Sequence, residues 1–396
     1  MKDRVTYASQ LLYVGPTGVQ GQKLAGVPVS GVEPTQLHHI NYIEHNTEYD
    51  REAPYQLGRR SPVGESIISP IDVELNFQYA LADAQNEKWL GFDLSDLSVP
   101  CISGFLENHN DCQNFYVLTT QRGDAVKYQT LEEFTEEQGS VVTSFSNGVI
   151  TNYKIEASID SIPVASVSVN ASAINYDQSV SGIICPTISP DTSCFNNEGM
   201  IIPCPKEDNL DVAALRPAYM NLIFSSGESP GGGYLLYTGE AREDGQSSCS
   251  LTSFEVDLEL PRRINKRLGA KFPISKPIQY PAQLNFSCEA RVKDLISGNM
   301  LESFCSQGTN LTISMLNPYN QKGNVEIMLK DLHLDSQISQ LSLRNQEYVS
   351  LSFSSPLGAA QDWEGGLYIS GVAEAKRPTT YGITSGQLSQ GKVSYK

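Results

Sequence analysis

Hydrophobic and polar residues alternate with a period of two along much of this chain. Ile71 to Phe77 reads I-D-V-E-L-N-F, Tyr153 to Ile159 reads Y-K-I-E-A-S-I, and Phe254 to Leu260 reads F-E-V-D-L-E-L. Val164–Val169, Val325–Leu334 and Tyr348–Phe353 continue the pattern. A strand turns successive side chains to opposite faces, so these segments predict strands with one dry and one wet face. Such strands suit antiparallel sandwiches and barrels. Helical signals are few. Thr130–Glu137 has a capping threonine, a Glu three residues on and an acidic first turn, which predicts one short helix. Pro261–Leu268 is a second, weaker helix candidate, with proline tolerated in its first turn. Residues 177–250 are rich in Pro and Gly and read as long loops, with short strands at Met220–Phe224 and Tyr234–Tyr237.

The order of these segments repeats. Leu57-Gly58, a polar connection, Pro70 and Leu75-Asn76-Phe77 match Leu268-Gly269, a polar connection, Pro281 and Leu284-Asn285-Phe286. The Gly-to-Asn spacings are 18 and 16. A strand-like segment precedes each block, and two alternating strands follow each one further on. An internal duplication accounts for this order better than a shared tripeptide does. The expected fold is therefore mainly β: two antiparallel barrel or sandwich domains, each with at most one short flanking helix. Residues 1–176 form the first, 177–250 a loop-rich insertion or connection, and 251–396 the second.

Composition narrows the function. The chain is 40% hydrophobic and 18% charged, which favours folded cores over disorder. Its formal net charge of -17 opposes a grip on nucleic acid, because such binding needs cations that displace counterions from phosphate. No apolar run approaches the ~18–20 residues that span a bilayer, and the polar opening after Met1 predicts no secretion signal. Free thiols are therefore the first reading for the eight cysteines, disulfides the second and a metal site the last. No GxSxG, HExxH or Walker motif is present, and the acidic loop at Glu207, Asp208 and Asp211 lacks calcium-loop spacing. His38 and His39 would point to opposite faces of a strand and would not share a metal. The expectation is a protein without catalytic residues, cofactor or metal.

Two stretches resemble the major tail tube proteins of long-tailed bacteriophages, of the non-contractile siphophage type. Asn147-Gly148-Val149-Ile150-Thr151-Asn152-Tyr153, with Pro163-Val164-Ala165-Ser166-Val167-Ser168 after it, is similar to their "G-x-I-T-N-Y … P-x-A-S-V-S" stretch. Val256–Leu260, Pro261-Arg262, Leu268-Gly269, Pro273 and Gln279-Tyr280-Pro281 resemble their "V-D-L-x-L-P-R … L-G … P … Q-x-P" stretch. With the 40–90 block, the likeness covers about half the chain. The resemblance implies a virion protein that packs side by side into rings, stacked through long loops into a hollow tube. Phage DNA passes through that tube without specific binding. Single-domain tube subunits form sixfold rings, so a duplicated chain implies trimeric rings with pseudo-sixfold symmetry. A hexamer follows if the second domain is not a tube domain. Other implied partners are the tape measure and tail terminator proteins. Assembly would occur in the host cytoplasm and without a membrane.

On this reading Asp72, Glu74 and Gln283 line the lumen, as polar residues alternating with core residues. Arg59, Arg60, Lys271 and Lys276 sit on the loops that carry ring stacking. In both sets, solvated positions on an outer face or an exposed loop are the alternative. The other functional readings are a distal tail, neck or head-decoration protein, or a carbohydrate-binding adhesin. The adhesin would need aromatic side chains grouped in a groove.

Overall fold

Buried positions fall on alternate residues, as the sequence pattern requires; Asp72–Ala80 buries Val73, Leu75, Phe77 and Tyr79 and turns the residues between them outward. The computed structural model describes residues 10–17, 34–67, 71–94, 100–102, 112–120, 140–178, 183–184, 199–200, 202, 214–217, 220–226, 234–237, 251–269, 272–291, 308–315, 325–340, 348–358 and 366–371. The chain is mainly β, with one short helix among these residues.

Two sets of strands carry the architecture. The first set is β1 (Gln10–Pro16), β2 (Ile40–Glu48), β3 (Asp72–Ala80), β4 (Gln113–Thr120), β5 (Ser140–Ser158), β6 (Val164–Ala171) and β7 (Ala173–Asp177). The second set is β8 (Met220–Ser226), β9 (Leu251–Glu259), β10 (Ala282–Arg291), β11 (Thr309–Met315), β12 (Val325–Gln340), β13 (Tyr348–Leu357) and β14 (Gly366–Ser370). Their pairing repeats. In the front layer, β2 pairs β3, β3 pairs β6 and β6 pairs the C-terminal half of β5. Likewise β9 pairs β10, β10 pairs β13 and β13 pairs the C-terminal half of β12. In the back layer, β1 pairs β4, while β4 and β7 flank the N-terminal half of β5. β8, β11, β14 and β12 repeat this arrangement. Each repeat is a two-layer sandwich whose layers meet through aromatic rings, such as Phe77 on Phe115 and Phe286 on Phe224.

The second repeat therefore takes its first strand from within 177–250. The short strand Tyr234–Tyr237 pairs β8 from the same stretch. Both short strands read from the sequence are present, but this stretch is not merely a connection.

β5 and β12 each run through both layers, and the same device turns them. Asn147 and Asp331 adopt left-handed backbone at φ 47° and 56°. The Asn147 N–H donates to Asn114 Oδ1 at 3.0 Å, and the Asp331 N–H donates to Asn310 Oδ1 at 3.1 Å. Such bulges bend a strand and need their freed backbone groups satisfied. Asn114→Ala or Asn310→Ala removes that acceptor and is expected to cost ~1–3 kcal/mol, read by chemical denaturation. An unchanged unfolding midpoint in both variants would show that the bend does not depend on these side chains.

The predicted helix at Thr130–Glu137 lies outside the described residues. Pro261–Leu268 is not helical. Arg262 and Asn265 form antiparallel bridges to Ile278 and Ser275, so these backbone groups are satisfied across an arm instead of along a helix. The helix that is present, α1 (Gln85–Trp89), has only five residues and carries no sequence periodicity long enough to read. Its Glu87, 2% exposed, accepts hydrogen bonds from Tyr79 at 2.8 Å and Tyr153 at 2.9 Å, tying the helix to β3 and β5.

Burial raises the Glu87 pKa, and the Tyr79 hydrogen bond opposes this. The native state thus holds the proton more tightly than the unfolded chain. Stability from this group is full below the ordinary value of 4.5 and is lost as pH rises through the higher native value. Glu87→Gln is expected to flatten that decline in melts carried upward from pH 4.5. A wild-type slope retained in the variant would assign the decline to other groups.

Candidate functional site

The two repeats join edge to edge. β9 pairs the C-terminal half of β5, from Ser253 opposite Ser158 to Glu259 opposite Asn152. This seam fuses the two front layers into one antiparallel sheet of order β2–β3–β6–β5–β9–β10–β13–β12. One face of this sheet packs on the core. The other is wet, because residues directly opposite each other across an antiparallel pair share a face.

The wet face is acidic. Glu44, Glu48, Asp72 and Glu74 lie on β2 and β3, and Glu156, Glu255, Asp257, Glu259 and Glu289 lie around and beyond the seam. The residues between them are mostly Ser and Asn, which donate sideways. Asn170 Nδ2 donates to Asp72 Oδ1 at 2.5 Å and Asn152 Nδ2 to Asp257 Oδ1 at 2.7 Å. At the seam Glu156 stands directly opposite Glu255. Lys154 lies between them, with Nζ 2.5 Å from Glu156 and 3.1 Å from Glu255. Its pairing with the two carboxylates raises the lysine's pKa over the opposing effect of desolvation. A shallow groove of about 420 Å³ follows the seam, lined by Glu156, Glu255 and Glu289 with several serines. Phe254 is the one aromatic residue in that lining, so it offers no aromatic platform for a sugar.

Asp72, Glu74 and Gln283 all fall on this wet face, at positions alternating with buried Val73, Leu75 and Leu284. Asp72 is half-buried, while Glu74 and Gln283 are exposed.

Two arms project from one end of the same sheet. The β2–β3 connection pairs Arg51–Glu52 with Ser66–Ile67, and the β9–β10 connection pairs through Arg262 and Asn265. The repeated Leu-Gly dipeptides sit on these arms. Gly58 and Gly269 have φ of 87° and 81°, and the preceding Leu57 and Leu268 are wholly exposed. Arg59 and Arg60 follow the first turn in the open. Lys271 lies outside the described residues. Lys276 does not belong with the exposed loop cations: it is 6% exposed, and its Nζ donates to Asn170 O at 3.1 Å and Asn170 Oδ1 at 2.6 Å. Burial lowers its pKa to about 8. It pins the second arm to the end of β6, a role that a lysine surrounded by loop residues does not signal in sequence.

Two features escaped the sequence reading. One is the seam, since nothing in a strand's own pattern names its neighbour. The other is the pair of unpaired edges that the seam leaves. Among the described residues, no strand pairs the outer side of β2 or that of β12 beyond His333.

His38 packs on Trp89 at 4.6 Å and exchanges hydrogen bonds with Asn86, and burial lowers its pKa to about 4. Cys101, Cys112 and Cys288 are thiols, and the remaining cysteines lie outside the described residues. No helix among the described residues is long and apolar enough to cross a membrane.

No family model and no curated protein matches the chain. Among solved structures, a chain of the six-fold symmetrised cryo-EM structure of the anti-feeding prophage baseplate aligns with 39% of this chain and 93% of its own. Identity is 12% and the TM-score 0.25, a level that does not establish a shared fold.

Proposed function

We propose that this chain is the major tail tube subunit of a long-tailed bacteriophage, a structural protein with no catalytic step. The observation that carries this reading is the fused front sheet: two repeats already joined edge to edge, a wet acidic face and, among the described residues, an open strand at each end. Open edges template pairing with further chains unless something blocks them. A second copy placed at each edge extends the wall, and three copies with six repeats close a ring of pseudo-sixfold symmetry.

The wet face then lines the bore. Carboxylates repel phosphate over about a Debye length, ~8 Å at physiological salt, so DNA slides without being held. The arms at one end of the sheet reach the next ring, and their exposed leucines and arginines supply the stacking contact. The subunit belongs to the virion tail, assembles in the host cytoplasm, and meets tape measure and terminator proteins at the tube's length limits. The sequence resemblance at Asn147–Tyr153 and Val256–Leu260 supports the same assignment.

Electron microscopy of the purified full chain tests it. Rings or hollow rods of constant bore are expected, with three chains per ring by native mass spectrometry. Protein that stays monomeric at high concentration would overturn the assignment.

A further inference from the structure

The in-chain seam is a template for a second seam that a single copy does not contain. The repeated pairing fixes which residues correspond. Ser168 faces Asn152 on β5, and its counterpart Ser354 faces His333 on β12. Ser166 faces Lys154, and Ser352 faces Ser336. Val164 faces Glu156, and Ser350 faces Ile338. On the other side of the seam, Gln78 faces Tyr42 and its counterpart Ser287 faces Glu255. Asn76 likewise faces Glu44, and Asn285 faces Asp257.

We infer that β2 of one copy adds to the C-terminal half of β12 of a second copy in the register of the β9–β5 seam, setting Tyr42 directly opposite Ile338. This rests on the ring-forming role proposed above and names the residues that meet in it. The chemistry at the equivalent positions differs in a correlated way. Within the chain, the like-charged pair Glu156–Glu255 is held by Lys154. Between copies, serine replaces the lysine, and the acids are replaced by isoleucine and by tyrosine, whose ring lies at the edge while its hydroxyl donates to Glu44 at 2.6 Å. Ile338 and Tyr42 are 57% and 51% exposed in the single copy, large apolar side chains on the two open edges. An aromatic residue opposite a β-branched one is a favourable cross-strand pair. The same register sets Glu44 opposite Ser336 and, across the β12 bulge that adds exposed Asp335 between Leu334 and Ser336, Asn46 opposite His333. The ring therefore alternates two chemically distinct seams, one ionic within each chain and one apolar between chains.

Cysteines at both positions, Tyr42→Cys with Ile338→Cys in the full chain, test the register. Directly opposite residues have Cα atoms about 4.5–5.5 Å apart, within disulfide reach. Mild oxidation is expected to give covalent oligomers up to closed trimers on non-reducing gels, absent from wild type and from each single variant. Oligomers seen by light scattering that cross-link only through a shifted pair, such as Tyr42→Cys with Ser336→Cys, would overturn the register and leave the ring standing. Absence of any oligomer, in wild type as well, would overturn the ring and the register together. As a second readout, Ile338→Glu is expected to weaken association at least about tenfold. Adding Tyr42→Lys should restore it, now with a salt dependence that wild type lacks. Failure of that rescue, with Ile338→Glu still folded, would also overturn the pairing.

Discussion

Glu48→Lys, Glu74→Lys and Glu259→Lys together are expected to make the wet face of the front sheet hold DNA, which the proposed lining would repel. All three side chains are exposed on the wet face of the front sheet and none joins the Lys154 cluster. Each reversal changes the charge by two, so the formal net charge moves from -17 to -11 per chain. The overall balance stays acidic, and only the local field on this face inverts. Three neutralised phosphates per chain give a log–log salt slope of about -3, so binding should fall roughly 40-fold between 50 and 200 mM salt. Fluorescence anisotropy with a short duplex measures this, and an assembled rod should show it more steeply. If wild type binds the duplex as well as the variant does, the face does not act as a repelling lining. If the variant ignores DNA at low salt, the face is not accessible to it.

Phe286→Ala should produce the largest loss of stability from a single site. Phe286 is 1% exposed and packs between the layers of the second repeat, against Phe224 at 6.1 Å, Phe254 at 6.4 Å and Phe353 at 6.0 Å. Truncating such a ring loses its transfer free energy and leaves a cavity, at ~3–5 kcal/mol. That corresponds to a fall in Tm of roughly 10 °C by calorimetry. The neighbouring Asn285→Ala is the control: its side chain is on the wet face and donates to Glu259 only at 3.5 Å, so little change is expected. A Phe286→Ala shift under about 2 °C would mean that this aromatic cluster does not hold the layers together.

The Leu-Asn-Phe repeat thus carries two signals in three residues. Leu75, Phe77, Leu284 and Phe286 face the core, while Asn76 and Asn285 face water. Period-two alternation made this much of the fold legible, together with the wet positions of Asp72, Glu74 and Gln283. The Leu-Gly turns were legible as repeats too, because glycine at positive φ is a local requirement. What local pattern does not encode is partnership. Pro261–Leu268 has a helix-like start, yet bridges to residues 10 and 16 positions on outcompete the helix. Lys276 looks like any loop cation until Asn170, more than a hundred residues away, is placed beside it. α1 is held by Tyr79 and Tyr153 through Glu87, so its existence depends on tertiary contacts and not on propensity. The seam depends on two strands 93 residues or more apart in the chain, and only their shared register reveals it.

β5 has a mechanical consequence. Its 19 residues extend for ~60 Å, and the same unbroken backbone serves the back layer before Asn147 and the front layer after it. Sliding one layer past the other would have to strip this strand from its ladder partners in one layer, here and again in β12. Each repeat is laced through by a covalent thread, so shear load passes along the main chain and does not depend on side-chain packing alone.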